Sequence, residues 1–299
     1  MVAEHIKIEG IYPPVATPFQ NGGEIAFDHL RSNLERWEAE PLSGYVVGGS
    51  NGEFTSLTNS ERVSLVRFIR ENSDPSRLVI AGSGLPSTQA TIDLGTQMAD
   101  AGASALLVIT PIYFKSMMNH DSLVKHFYAV AQESRLPVLL YNMPANTGID
   151  MSVETILAAA EHPNIIGIKD SSGRVDKIGA LVQRAPANFV VLAGSAGYLL
   201  GALAMGAVGA VAALANIAGT ALRDVFDDFQ SGDMEKAQVK QLRLIEVNSA
   251  VTSRYSVPGL KAAMEMMGYY GGPVRPPLID LGKKDRAAVR KLLSEAGLL

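Results

Sequence analysis

Eight short runs rich in β-branched and aliphatic residues recur along the chain with helical stretches between them, and this alternation constrains the fold more than any other feature. The runs cover residues 11–19, 44–48, 77–84, 105–110, 137–142, 165–169, 189–193 and 208–214. In the first, Pro13, Pro14 and Pro18 predict an irregular strand, placed where some ladder bonds are missing. Thr58-Asn59-Ser60-Glu61 has the capping-box pattern and opens a helix through about Asn72, and residues 87–101 read as a helix stopped at Gly102. Further helices are expected at 121–134, 152–161, 175–184 and 198–205. Eight strands alternating with helices predict an α/β fold, a closed parallel (β/α)8 TIM barrel. A doubly wound open sheet is the rival, but no strand is followed by a G-x-G-x-x-G fingerprint, and Gly194-Ser195-Ala196-Gly197 has too few glycines in register. Residues 220–299 read as helical, with breaks near 231–232, 257–259 and 271–277. The expected division is a catalytic barrel over 1–219 and a helical extension over 220–299 packed on it.

The sixth run, Ile165-Ile166-Gly167-Ile168, leads into Lys169-Asp170-Ser171-Ser172. A strand of this composition is buried on both faces, so Lys169 at its end finds no water along the strand itself. Two readings follow. Partly dry surroundings destabilise an ammonium, and the neutral amine is then a nucleophile able to form a Schiff base with a carbonyl. Alternatively, Lys169 is a structural cation paired with a carboxylate such as Asp170.

The formal net charge of −4 and the 47% of hydrophobic residues give no electrostatic case for a nucleic acid or an anionic membrane as partner. The absence of cysteine excludes disulfides, thiolate metal sites and a cysteine nucleophile, and is compatible with a reducing compartment. The first ten residues contain Glu4 and no apolar core, unlike a secretory or transit signal. The most apolar stretch, 202–218, is broken by Gly206 and Gly209, which favours a helix end and a buried strand over a membrane span. A cytoplasmic location is expected.

Barrel enzymes place their chemistry at the C-terminal ends of the strands. Those positions hold Ser50, Asn51 and Glu53 after the second strand, Tyr113 after the fourth, Tyr141 and Asn142 on the fifth, Lys169 and Ser171 on the sixth, and Ser195 after the seventh. The histidines lie elsewhere: His5 is terminal, His29, His120 and His126 are in or near helices, and His162 precedes the sixth strand. A metal-dependent aldolase or a Ser/His/Asp hydrolase is therefore disfavoured, and neither metal nor cofactor is expected. Glycines around Ser50 and Asn51 let successive N–H groups converge on one point, a site for the carboxylate of a 2-oxo acid, or else make an ordinary tight turn. Glu53 reads as a carboxylate that holds this loop. Tyr141 is either a core tyrosine or a phenol facing Lys169.

Gly49-Ser50-Asn51-Gly52-Glu53, Tyr141-Asn142-Met143-Pro144 and Gly167-Ile168-Lys169-Asp170 resemble the three signatures of the dihydrodipicolinate synthase and N-acetylneuraminate lyase superfamily of Schiff-base barrel aldolases. The resemblance covers essentially the whole chain. Within the superfamily the chain most resembles 4-hydroxy-2-oxoglutarate aldolase, through residues 10–15, 49–54, 144–148, 191–197 and 268–273. The resemblance implies that Lys169 forms the imine with a small 2-oxo acid, pyruvate, and that Tyr141 transfers protons. It implies that Ser50 completes a relay to Tyr113, which crosses a dimer interface in a homodimer or homotetramer. Ser50 and Asn51 would hold the C1 carboxylate through backbone N–H groups, with Ser171, Asn146 and Gly194 completing the substrate pocket. The implied reaction is cleavage of 4-hydroxy-2-oxoglutarate to pyruvate and glyoxylate.

One position departs from the family pattern. Dihydrodipicolinate synthase proper carries an arginine for the carboxylate of aspartate semialdehyde where this chain has Asn146, and losing a guanidinium removes a bidentate partner. The alternatives are that synthase, a 2-oxo-3-deoxy sugar-acid aldolase, and a non-catalytic 2-oxo acid sensor.

Overall fold

A computed structural model describes residues 6–299; His5 and the other residues of the N-terminal five lie outside the described residues. The strands are β1 (Gly10–Tyr12), β2 (Gly44–Val47), β3 (Leu78–Gly82), β4 (Ala105–Ile109), β5 (Val138–Asn142), β6 (Ile165–Asp170), β7 (Val190–Ala193) and β8 (Gly209–Val211). From β2 to β8 each strand pairs in parallel with its successor in sequence, and β1 pairs with β8. The ring closes between β1 and β2 through a single bridge, Pro14 with Val46. The Val15 N–H donates to the Val46 carbonyl at 2.8 Å and the Val46 N–H to the Pro13 carbonyl at 3.0 Å. This is the (β/α)8 TIM barrel expected from the alternation. Its first strand is shorter than the 11–19 run because prolines supply no donors to a ladder.

Strand parity divides the core. Tyr12, Val46, Ile80, Leu107, Leu139 and Tyr141 fill the barrel interior, whereas Ile11, Val47, Val79, Leu106, Leu140 and Ile168 face the surrounding helices. The helix Asn59–Asn72 carries the predicted capping box: the Glu61 N–H donates to Thr58 Oγ1 and the Thr58 N–H to Glu61 Oε2, at 3.2 and 2.8 Å. The helix Phe27–Glu38 has no counterpart among the expected elements. Its N-cap, Ala26, offers no side-chain acceptor, and its buried Leu30, Asn33, Leu34 and Trp37 tie it to the core instead.

Beyond β8 run helices Ala215–Gln230, Met234–Ser249, Ser256–Met266 and Lys283–Glu295. The break expected at 257–259 is instead a helix start: Pro258 lies in the first turn of Ser256–Met266, where its missing N–H has no intrahelical acceptor to lose. The irregular turn comes just earlier, a π turn over Ala250–Arg254. Val225, Leu244, Leu260 and Val289 from these helices share one core with Ile11 and Trp37. Among the described residues no helix is long and apolar enough to cross a membrane.

One buried histidine makes stability depend on pH. His126 is buried on helix His120–Glu133 with Nδ1 2.8 Å from Thr88 Oγ1, and burial holds its imidazole down at about 4 from an ordinary 6.5. The unfolded chain takes up this proton near 6.5 and the native state does not. The neutral ring's contribution is therefore complete above pH 6.5 and is lost as pH falls toward 4, on the order of 3 kcal/mol in total. His126→Gln is expected to flatten the fall of the urea midpoint between those pH values; an unchanged slope would contradict this.

Candidate active site

β5 and β6 pair with Tyr141 opposite Lys169 and Asn142 opposite Asp170. Alternation along the strands then sends Lys169 and Tyr141 into the barrel mouth, and Asp170 and Asn142 outward to the helix layer. Lys169 is 3% exposed, and its Nζ lies 4.0 Å from the centroid of the Tyr141 ring. An ammonium so placed is attracted to the ring face by roughly 0.5–2 kcal/mol. The Tyr141 hydroxyl lies 3.2 Å from Ser50 Oγ. Lysine and serine, from separate strand ends, thus both meet the Tyr141 side chain, one at its ring and the other at its hydroxyl.

Asp170 is not the partner of Lys169. Its Oδ2 lies 3.5 Å from Lys177 Nζ and accepts from Asn142 Nδ2 at 2.8 Å, and its Oδ1 accepts the Ser172 N–H at 2.9 Å. Lys177, also buried, donates to Asp150 Oδ1 at 2.6 Å, and Asn142 Nδ2 reaches the same oxygen at 2.7 Å. Burial pulls the Asp150 carboxyl up, but the bonds from Lys177 and Asn142 outweigh it and hold the group below the usual carboxylate range. This network, buried at Asn142, Asp170 and Lys177, fastens the ends of β5 and β6 behind the site. The sequence reading missed it, although Lys177 sits beside Ile178 and Leu181 on the buried face of helix Val175–Arg184.

Residues Ser50–Gly52 form a 3₁₀ turn. The Gly52 and Glu53 N–H groups close it onto the Gly49 and Ser50 carbonyls at 3.0 and 3.1 Å. The first amides of such a turn, Ser50 and Asn51, have no carbonyl within it to bond and are free for an anion. Ser171 Oγ is buried without a hydrogen-bond partner. A Cβ at position 194 would overlap that oxygen, so only glycine lets β6 and β7 close here.

A second cation also escaped the sequence reading. Arg62 is 2% exposed and donates to the Gly82 carbonyl at 2.6 Å. Burial lowers its guanidinium to about 10. It shares the wall of a small cavity with Gly48, Gly82 and Tyr141. Its signal in the sequence is a cation on the apolar stripe of Leu65, Val66 and Ile69.

Two candidates stand apart. Tyr113 is 76% exposed and meets Phe114 edge-on at 5.0 Å; the Tyr141 hydroxyl's contact with Ser50 does not extend to it by a hydrogen bond within this chain. Asn146 is exposed on the one-turn helix Pro144–Thr147 at the rim. The side chain of Lys115 crosses this loop, and a Cβ at Gly148 would lie 3.0 Å from its Nζ.

The family model of the dihydrodipicolinate synthetase family matches residues 7–296. The chain belongs to this family. It is 34% identical over 287 residues to the 4-hydroxy-tetrahydrodipicolinate synthase of Methanothrix thermoacetophila, covering 96% of each chain. The dihydrodipicolinate synthase DapA-2 of Bacillus anthracis superposes with a TM-score of 0.93 at 31% identity, over 97% of this chain and 98% of that one. The chloride-inhibited dihydrodipicolinate synthase of Acinetobacter baumannii, solved with pyruvate, gives 0.93 at 29% identity, over 98% and 100%. These family members carry the synthase name and not that of the 4-hydroxy-2-oxoglutarate aldolase.

Proposed function

We propose that Lys169 forms an imine with the C2 carbonyl of pyruvate or a 4-hydroxy-2-oxo acid, and that the enzyme makes or breaks the C3–C4 bond. The observation that carries this reading is the buried Lys169 amine over the Tyr141 ring, with the Tyr141 hydroxyl against Ser50. The pyruvate bound by the A. baumannii family member supports the choice of oxo acid. In the cleavage direction the amine attacks C2, and Tyr141 passes protons as water leaves. The Ser50 and Asn51 amides hold the C1 carboxylate, with Ser171 and Gly194 at the far wall. The protonated imine draws electrons from the C3–C4 bond. Loss of the C4 hydroxyl proton then releases an aldehyde and leaves an enamine, which is protonated at C3 and hydrolysed to pyruvate and free Lys169. A silent 2-oxo acid sensor would have no use for this lysine, phenol and serine in contact.

For the aldehyde, two readings have support. The names of the family members favour 4-hydroxy-tetrahydrodipicolinate synthase, which would condense pyruvate with aspartate semialdehyde. Cleavage of 4-hydroxy-2-oxoglutarate to pyruvate and glyoxylate is the second reading: Asn146 offers no guanidinium to the carboxylate of either aldehyde, and Lys115 beside the same loop is an alternative cation for a distal carboxylate. Assaying pyruvate consumption or release on both substrates separates them. If Lys115 binds that carboxylate, Lys115→Ala is expected to lower kcat/KM for the dicarboxylic substrate about 10-fold or more, the weight of one charge-assisted hydrogen bond. It leaves a neutral-tailed 2-oxo-3-deoxy sugar acid unaffected; equal losses on both would refute the assignment. Tyr113, Phe114 and Met117, at 76%, 67% and 62% exposure, form an apolar patch that supports a partner subunit carrying Tyr113 toward the neighbouring site.

A further inference from the structure

The turn that presents the Ser50 and Asn51 amides leaves through Glu53, a non-glycine residue in the left-handed region with φ of 56°. That conformation costs an L residue on the order of 1–2 kcal/mol, so the surroundings must hold it. The side chain is buried, and its partners come more than two hundred residues later. Glu53 Oε1 lies 2.6 Å from Lys261 Nζ, and Oε2 accepts the Arg275 backbone N–H at 2.9 Å. Lys261 is itself buried, donates to the Pro273 carbonyl at 2.7 Å, and sits 4.4 Å from the Phe19 ring centroid. Arg275 lies 4.3 Å from the same ring and donates to the Gly23 and Ser56 carbonyls, each at 2.9 Å, so the segment carrying the lock is anchored independently.

We propose that Glu53, Lys261 and Arg275 form a lock through which the C-terminal helices hold the Ser50–Asn51 amides in the geometry that receives the carboxylate of the 2-oxo acid. Glu53 and Lys261 are positioning residues; neither touches the reacting atoms. If Glu53 relaxed to negative φ, the turn's exit would swing and the closures onto the Gly49 and Ser50 carbonyls would be lost. The first two amides would then no longer converge. The carboxylate is bound alike in the substrate, the imine and the transition state, so loosening its cradle weakens binding and leaves the chemical step unchanged.

The inference rests on the imine reading only for the identity of the anion, and one experiment keeps the two apart. Lysine labelling by pyruvate and borohydride is followed against pyruvate concentration in the wild type, in Lys261→Met, and in the Glu53→Gln/Lys261→Met double variant. The double variant removes both buried charges together and so avoids the uncompensated charge that could unfold the single one. The lock predicts that the half-saturating pyruvate concentration rises about 10-fold or more, roughly 1.4 kcal/mol, while the labelling rate at saturation stays within about twofold. A folded double variant with unchanged half-saturation, or one whose loss lies in the saturating rate, would overturn the lock. Absence of labelling in the wild type would strike the imine reading instead.

Discussion

Lys169→Ala is expected to lower turnover by roughly 10⁴-fold or more, as removal of a covalent nucleophile does, and to leave the protein folded. Among the described residues, the other buried lysines are not placed to take over. Lys177 lies on the outer side of β6 and is held by Asp150, and Lys261 is held by Glu53. The fold survives because β6 is buried through Ile165 and Ile168, and because Asp170 keeps its own partners when Lys169 is gone. Shortening the side chain costs packing around the Tyr141 ring, but it also removes a buried polar amine that Asp170 does not pair. The two effects oppose each other, and the melting temperature should move by only a few degrees. Steady-state rates and a thermal melt on the same preparation test both halves. Turnover within about tenfold of wild type would remove Lys169 from the mechanism.

Tyr141→Phe separates the ring from its hydroxyl. The phenylalanine keeps the aromatic face beneath the Lys169 amine and the packing of the barrel interior, and loses only the group 3.2 Å from Ser50 Oγ. Positioned proton transfer contributes about 10²–10⁴ in rate, so kcat is expected to fall by that amount. The hydrogen bond's net contribution to stability is only about 1 kcal/mol, so the melt should barely change. Because the carboxylate cradle is untouched, pyruvate should still bind with a similar half-saturation. A kcat near that of wild type would assign Tyr141 to packing alone.

The barrel was legible because parallel strands buried on both faces write themselves as continuous apolar runs, and eight such runs left few alternatives. The prolines of the first run told where the ring would be joined by a bridge in place of a ladder. Helix Phe27–Glu38 was not legible because its support is distant: Trp37 Nε1–H donates to the Asn216 carbonyl at 3.0 Å, and Arg36 reaches the Met267 carbonyl at 3.0 Å. Pro258 suggested a break and instead opens a helix, since a proline reads alike in either place until the direction of the chain is known.

Within the site the division is similar. Lys169, Tyr141 and Ser50 were found because a barrel presents strand ends to one mouth, so position along a strand becomes position in space. Lys177, Arg62 and Lys261 acquire meaning only from what they face. Arg62 and Lys177 left a trace as cations on otherwise apolar helix faces, and Lys261 lies likewise among buried Leu260, Ala262, Ala263 and Met264. Lys261 is paired with Glu53, 208 positions away, the difference of their numbers, and no local pattern encodes such a pairing. Tyr113 is exposed within this chain, and the relay that the resemblance implies for it would need a second subunit.

The most direct measurement is reduction of the wild-type protein with borohydride in the presence and absence of pyruvate, followed by peptide mapping. The account predicts a pyruvate-dependent adduct confined to the peptide that holds Lys169. No adduct, or an adduct on a different lysine, would contradict it.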